Sequence, residues 1–137
     1  MFNTLLAIDY GKSRIGIASG QMITRTASPV GTVPAYDGTP DWYELDKVIK
    51  KWNPSDIIIG LPLDAYGFET DITREAKLFS RAVQERYADK KIHLINEAYS
   101  TREARSRLEA VKNKKVNHIK VDAIAACVIL ETWMSEN

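Results

Sequence analysis

Residues 4–19 read TLLAIDYGKSRIGIAS. The apolar run from Thr4 to Tyr10, interrupted only by Asp9 near its end and followed by Gly11, has the pattern of a buried strand. Gly11 to Ser13 supply turn residues, and Arg14 to Ser19 resume the apolar pattern as a second strand. Gly20-Gln21 is another turn signal, after which a third extended segment runs from about Ile23 to Val33. Three strands joined by short turns predict an antiparallel meander.

Outward from that meander the pattern changes period. Thr39-Pro40-Asp41 reads as a helix start, with Thr39 as cap, Pro40 in the first helical position and Asp41 at the positive end. Trp42, Leu45, Val48, Ile49 and Trp52 follow at helical spacing, and Asn53-Pro54 ends the helix. Asp56 to Leu61, DIIIGL, is a buried strand. Ile72, Ala76, Phe79 and Val83 form one helical face, with Thr70 as its cap. Lys91 to Glu97, KIHLINE, is a further strand. Ser100-Thr101-Arg102-Glu103 is a capping box opening a short helix with Ala104, Leu108 and Val111 inward. A Lys-rich loop from Lys112 to Asn117 leads to a last helix, His118 to Met134, apolar nearly all round and so mostly buried. The expected order is βββαβαβαα: an α/β fold with a five-stranded mixed sheet flanked by helices. Strand–helix alternation after the meander implies parallel strands sharing one carboxyl edge, where such sheets place their sites.

At 137 residues the chain fits one domain, taken as 1–137. The absence of any 18-residue apolar run argues against a membrane span. The start lacks the basic and small-residue signals of a secretory leader. The single cysteine, Cys127, cannot form an internal disulfide, and its apolar neighbours suggest a buried helix position. A reducing cytoplasm is the natural setting.

Three carboxylates fall in costly places. Asp9 and Glu97 close apolar strands, and Asp122 lies inside an apolar helix. Burying a lone carboxylate demands a partner, a metal or a raised pKa. Strand ends at 9 and 97 share an edge in a mixed sheet, and a helix across that edge would bring Asp122 to them. Three hard oxygen donors suit Mg²⁺ or Mn²⁺ and the metal-assisted cleavage of phosphodiesters. Taken singly each has another reading: a turn Asp, a surface Glu, an acid near a helix start. Asp64 is a further candidate ligand. His93 and His118 lack metal-ligand spacing and read as structural or nucleic-acid-facing.

The net charge of +1 conceals an asymmetry. From Arg102 to Lys120 seven basic residues face two acidic ones, so this segment carries +5 and the rest −4. A basic patch on a near-neutral chain points to a polyanion or else to a solvated charged face. Ser100 and Thr101 could bind phosphate at a helix start, with Arg102 and Arg105 as bidentate partners. Lys114 and Lys115 lie in the basic segment, and Lys12 and Arg14 lie beside Asp9. These eight are the candidate nucleic-acid contacts.

The chain resembles the YqgF/RuvX family. The resemblance rests on LLAIDYGKSRIGIASG, DGTPDW, IIIGLPL, NEAYSTREAR and KVDAIAACVILE, in that order and over nearly the whole length. It implies a ribonuclease H-like fold and a metal-dependent nuclease that matures the 5′ end of small-subunit ribosomal RNA. The family's acidic positions fall on Asp9, Glu97 and Asp122, assigned as both catalytic and metal-binding. One departure stands out: Asn96-Glu97-Ala98 replaces the family's usual Asp-Glu-Arg/Trp, which implies weaker or differently tuned metal affinity or substrate grip. Two other readings remain open at this point. One is a resolvase of branched DNA, which should be dimeric because it makes two coordinated cuts; the other is a non-catalytic RNA-binding ribosome-assembly factor. The implied partner is nucleic acid, pre-rRNA before branched DNA, with no membrane and a monomeric or homodimeric state.

Overall fold

The computed structural model describes residues 3–97 and 118–137, with the backbone alone for 118–120. Six strands form one sequence of neighbours: β1 (Thr4–Asp9), β2 (Arg14–Gln21), β3 (Thr26–Tyr36), β4 (Thr39–Pro40), β5 (Asp56–Leu61) and β6 (Lys91–Asn96). Helices α1 (Trp42–Trp52), α2 (Asp71–Arg86) and α3 (His118–Glu136) accompany them. The spatial order is β4-β3-β2-β1-β5-β6. The meander is antiparallel, and β5 and β6 join β1 in parallel. This is the ribonuclease H-like arrangement. The short helix expected after Ser100 and the Lys-rich loop lie outside the described residues.

Strand β1 is a continuous apolar run because both its faces are covered. Leu6, Ile8 and Tyr10 point into a core shared with Ile57, Ile59 and Leu61 of β5 and with α1 and α2. Leu5 and Ala7 point the other way, with Ala18 and Ile58, into a core closed by Ala126, Ile129, Leu130 and Met134 of α3. Cys127 belongs to this second core and is buried, as its neighbours suggested. Trp42 and Trp52 pack against the first core at its margin. Alternation with period 2 therefore assigns each β1 residue to a face, and puts Asp9 on the α3 side.

The sixth strand is a correction to the expected five. Asp37 and Gly38 both have positive φ, 50° and 89°, as a tight primed hairpin turn requires. The turn folds Thr39-Pro40 back on β3, pairing Ala35 with Pro40 and Tyr36 with Thr39. Pro40 is tolerated there because an edge strand leaves one side without ladder bonds. Thr39 is thus a strand residue, and the cap of α1 is Asp41, whose Oδ1 accepts the Glu44 amide at 3.2 Å. The third strand starts at Thr26, later than expected, because residues before it make a turn around Arg25 (φ 52°). Thr70 caps α2 as expected, in a reciprocal box with Thr73.

Helices α1 and α2 are tied by one polar cluster. Arg86 donates from Nε and Nη2 to the two oxygens of Asp46, at 2.8 and 2.7 Å, and the Tyr87 hydroxyl donates to Oδ1 at 2.6 Å. These hydrogen bonds, from Arg86 first and then Tyr87, hold the Asp46 carboxyl down at about 2. Asp46 and Arg86 are each more than two-fifths exposed, so solvent screens much of the gain. A depressed carboxyl stabilises the fold above its unfolded pKa of about 4 and loses that contribution as pH falls through the folded value. Asp46→Asn should therefore be modestly less stable than the parent at neutral pH. The difference should close between pH about 4 and about 2, read by thermal melts across that range.

Candidate active site

The site begins with register. Asp9, the last residue of β1, is paired with Gly16 of β2 on one side and with Gly60 of β5 on the other. Partners in register present the same sheet face, so a side chain at 16 or 60 would stand beside the Asp9 carboxyl. Neither position has one. A Cβ on Gly16 would lie 2.1 Å from the carbonyl oxygen of Asp122 and 3.0 Å from its Cβ. A Cβ on Gly60 would lie 2.8 Å from the Glu97 carboxyl carbon and from its Oε2. One glycine admits the helix backbone that carries Asp122; the other admits the carboxylate of Glu97.

Glu97 is positioned by the end of β6. That strand pairs Leu61 with Asn96, and the Glu97 amide then donates to the Leu61 carbonyl at 3.1 Å. The parity of β6 puts Glu97 on the same face as Ile95, which packs against the α3-side core. Helix α3 lies across that face. On β2 it meets Gly16, Ala18 and Gly20, a stripe of small residues that lets its backbone approach closely. The three carboxylates selected by cost in the sequence are therefore neighbours.

Their electrostatics follow from this crowding. Burial first, then the Glu97 charge and a hydrogen bond shared with Glu97, and last the Asp122 charge hold the Asp9 carboxyl well above its ordinary range. A carboxyl pair that shares a proton is the usual state of two acids forced together without a cation. Asp122 is held differently: Arg14 donates from Nε to Asp122 Oδ2 in a partly buried ion pair. With Asp122 turned to Arg14, no three His, Cys, Asp or Glu side chains among the described residues form a closed ligand group as they stand. The donor chemistry nevertheless fits a hard divalent cation. Asp9 and Glu97 offer carboxylate oxygens at one point, with Asp122 beside them, and a cation would relieve their mutual repulsion.

The other candidates divide. Arg14 is engaged with Asp122, and Lys12 Nζ lies 3.5 Å from Glu75 Oε1. Ser100, Thr101, Arg102, Arg105, Lys114 and Lys115 lie outside the described residues. Asp64 organises its own loop: its Oδ1 accepts the amides of Tyr66 and Phe68, each at 2.9 Å, with Gly67 at φ 85° between them. His93 bonds Asp56 Oδ2 at 2.7 Å and packs on Trp133, a structural role in the second half of the sheet. For His118 the backbone alone is described, within α3. Sequence reasoning passed over Gly16 as a site residue, although a glycine inside a strand is a signal of close approach.

The mixed sheet with an acidic cluster at its carboxyl edge defines a protein of the ribonuclease H-like class. Its fold is shared with Thermus thermophilus RuvC solved with a Holliday junction substrate, at 12% identity, 98% and 94% coverage of the two chains and a TM-score of 0.56. It is shared also with the fowlpox virus resolvase solved with Holliday junction DNA, at 11% identity, 99% and 98% coverage and a TM-score of 0.61. Residues 3–136 match the RuvX family, described as Holliday junction resolvase, and the chain belongs to that family. Relatives from Francisella tularensis subsp. holarctica (strain LVS) and subsp. novicida (strain U112) are each 77% identical over the full length of both chains. Both are named as candidate pre-16S rRNA nucleases. The family is one of phosphodiester-cleaving hydrolases.

Gly16→Ala tests the geometry. The added methyl has no space against the Asp122 carbonyl and must push α3 off the sheet. Such overpacking costs about 1–3 kcal/mol, and the contact with backbone favours the upper end. Chemical denaturation should show that loss, while Ala18→Gly, which removes a methyl from the same stripe, should leave α3 seated.

Proposed function

We propose that this chain is a divalent-metal-dependent nuclease acting on structured RNA, with the precursor of small-subunit ribosomal RNA as its substrate. The observation that carries the reading is the pair of register glycines around Asp9, which bring Glu97 and Asp122 to it at the carboxyl edge. The names of the Francisella relatives support the RNA substrate. On this reading residues 1–137 act as a single domain, in the cytoplasm where ribosomal RNA is made.

Asp9 and Glu97 are the proposed first pair of metal-binding and catalytic residues, and Asp122 is the third. Mg²⁺ or Mn²⁺ bound there would supply a Lewis acid and a nucleophilic water at neutral pH. Asp9 and Glu97 would hold the cation through their carboxylate oxygens. Arg14 holds Asp122 beside the pair through its ion pair, and its guanidinium is a candidate partner for a substrate phosphate. Lys12 and the basic segment, including Ser100, Thr101, Arg102, Arg105, Lys114 and Lys115, are proposed to hold the nucleic-acid backbone, whose binding should weaken steeply with salt. A branched-DNA substrate has its support in the family description and the two resolvase folds. It requires two sites acting together, hence a dimer.

Two measurements test the assignment. Without metal, the raised Asp9 carboxyl stabilises the fold below its unfolded pKa of about 4 and loses that contribution as pH rises through the folded value. Melting temperature should therefore decline with rising pH in the parent and less in Asp9→Asn, and Mg²⁺ or Mn²⁺ at neutral pH should raise it in the parent alone. Cleavage of a precursor rRNA fragment should fall at least about a hundredfold in Asp9→Asn, as expected when a group organising transition-state charge is lost. Full cleavage by that variant, or four-way junction DNA cut in place of the RNA, would replace this reading.

A further inference from the structure

On the sheet face opposite α3, Tyr10, Trp42 and Phe79 help line a cavity of about 330 Å³ between the β3–β4 turn and α2. The Tyr10 hydroxyl donates to the Gly38 carbonyl at 2.7 Å, which fixes that ring as a wall. Phe79 sits 5.0 Å from Tyr10 and 6.1 Å from Trp42, centroid to centroid, so the aromatic lining is continuous. Glu75 projects into this lining from α2. Its Oε1 lies 3.5 Å from Lys12 Nζ, but its Oε2 is buried and accepts no hydrogen bond. Buried acceptors are almost always satisfied, and a charged one left without a donor is unusual. Leu78, 63% exposed, stands at the mouth.

An aromatic lining open at Trp42, a carboxylate oxygen lacking a donor and a lysine paired with that carboxylate select a flat heterocycle that carries N–H groups and hangs from an anionic backbone. We infer that this cavity takes one unpaired base of the nucleic-acid substrate, and that Glu75 selects bases with an exocyclic amine. Carboxylates accept from the amino group of cytosine, and adenine and guanine carry amines too. Uracil offers only a ring N–H flanked by carbonyl oxygens, which repel a carboxylate. Lys12 is placed to meet the phosphate beside the bound base, at the cost of its pairing with Glu75. Tyr10 directly follows Asp9, so the base pocket and the acidic edge are held by the same strand end. The inference rests on the nuclease reading, and adds to it a choice of base near the cut.

The test is binding of short labelled oligo(C), oligo(A) and oligo(U) RNA, followed by fluorescence anisotropy in EDTA so that no cleavage occurs. The chain should bind oligo(C) and oligo(A) about tenfold tighter than oligo(U), the worth of one hydrogen bond to a charged group. Glu75→Gln should bring the three within about twofold, chiefly by raising oligo(U) affinity as the repulsion of its carbonyl oxygens is lost. Leu78→Trp, at an exposed position that the fold tolerates, should narrow the mouth and erase the same preference. Equal affinities in the parent, no binding of any oligomer, or a preference that survives Glu75→Gln would overturn the proposal. The two readings fail separately. Cleavage of precursor RNA without base preference sinks the cavity alone, whereas base preference without cleavage sinks the nuclease.

Discussion

The close seat of α3 on the sheet is the constraint on which the rest of the molecule depends. Helices ordinarily pack on sheets through side chains, with the backbone held off by their bulk. Here the Asp122 carbonyl comes so near β2 that only glycine fits at position 16, and Leu130 comes so near Gly20 that a Cβ there would lie 2.8 Å from its Cδ2. Ala18, between them, is fully buried in the same core. The stripe Gly16, Ala18, Gly20 works as a track that lowers the helix toward the strand. Dispersion rewards such contact strongly, because every lining atom gains close neighbours. The apolar middle of α3, from Ala125 to Leu130, supplies the area that holds it there.

That seat determines the electrostatics of the acidic edge. A carboxylate at the end of an apolar strand has two ways to remain tolerable: reach water or find a counter-charge. Asp9 has only part of the first, because α3 and the neighbouring strands leave it half-buried. The charges that act on it from Glu97 and Asp122 are of its own sign. Arg14, at the start of the neighbouring strand, is committed to Asp122. The two cores on either side of the sheet carry the cost of holding this arrangement, as packed scaffolds do around strained functional groups. In a protein selected for stability alone an apolar residue at position 9 would serve better. The persistence of an acid there is the physical content of the site.

Much of this was legible in the sequence, and the reasons differ by element. β1 and β5 announced themselves because both faces are buried and the apolar run is unbroken. α2 was readable from a single apolar stripe with a cap at Thr70. The carboxylates stood out because each sat where hydrophobic spacing demanded an apolar residue. The start of α1 misled: Thr39-Pro40-Asp41 satisfies local capping rules, but the Asp37-Gly38 turn gives Thr39 and Pro40 ladder bonds to β3, and pairing overrode local preference. The Glu75 cavity could not be read at all, since Tyr10, Gly38, Trp42 and Glu75 come from four separate segments joined only by the fold. Likewise the ion pair of Arg14 with Asp122 spans 108 positions.

Register also decides what the departure at Asn96 means. The resemblance implied that Asn96 and Ala98 would leave metal affinity or substrate grip weaker or differently tuned. Asn96, however, pairs with Leu61, whose side chain points to the core on the α1–α2 side. Successive strand residues face opposite ways, so Asn96 belongs to that side and Glu97 to the other. Asn96 is exposed, and the three carboxylates gather across the sheet from it. Replacing an acid there removes a charge that could have acted on Asp9 only through the sheet or through solvent, where screening is strong. What the change does alter is the potential of the α1–α2 face, which becomes less negative by one charge. That is the face with Lys12 and the aromatic cavity, so the substitution favours the approach of a polyanion there and leaves the acidic cluster with all three of its members.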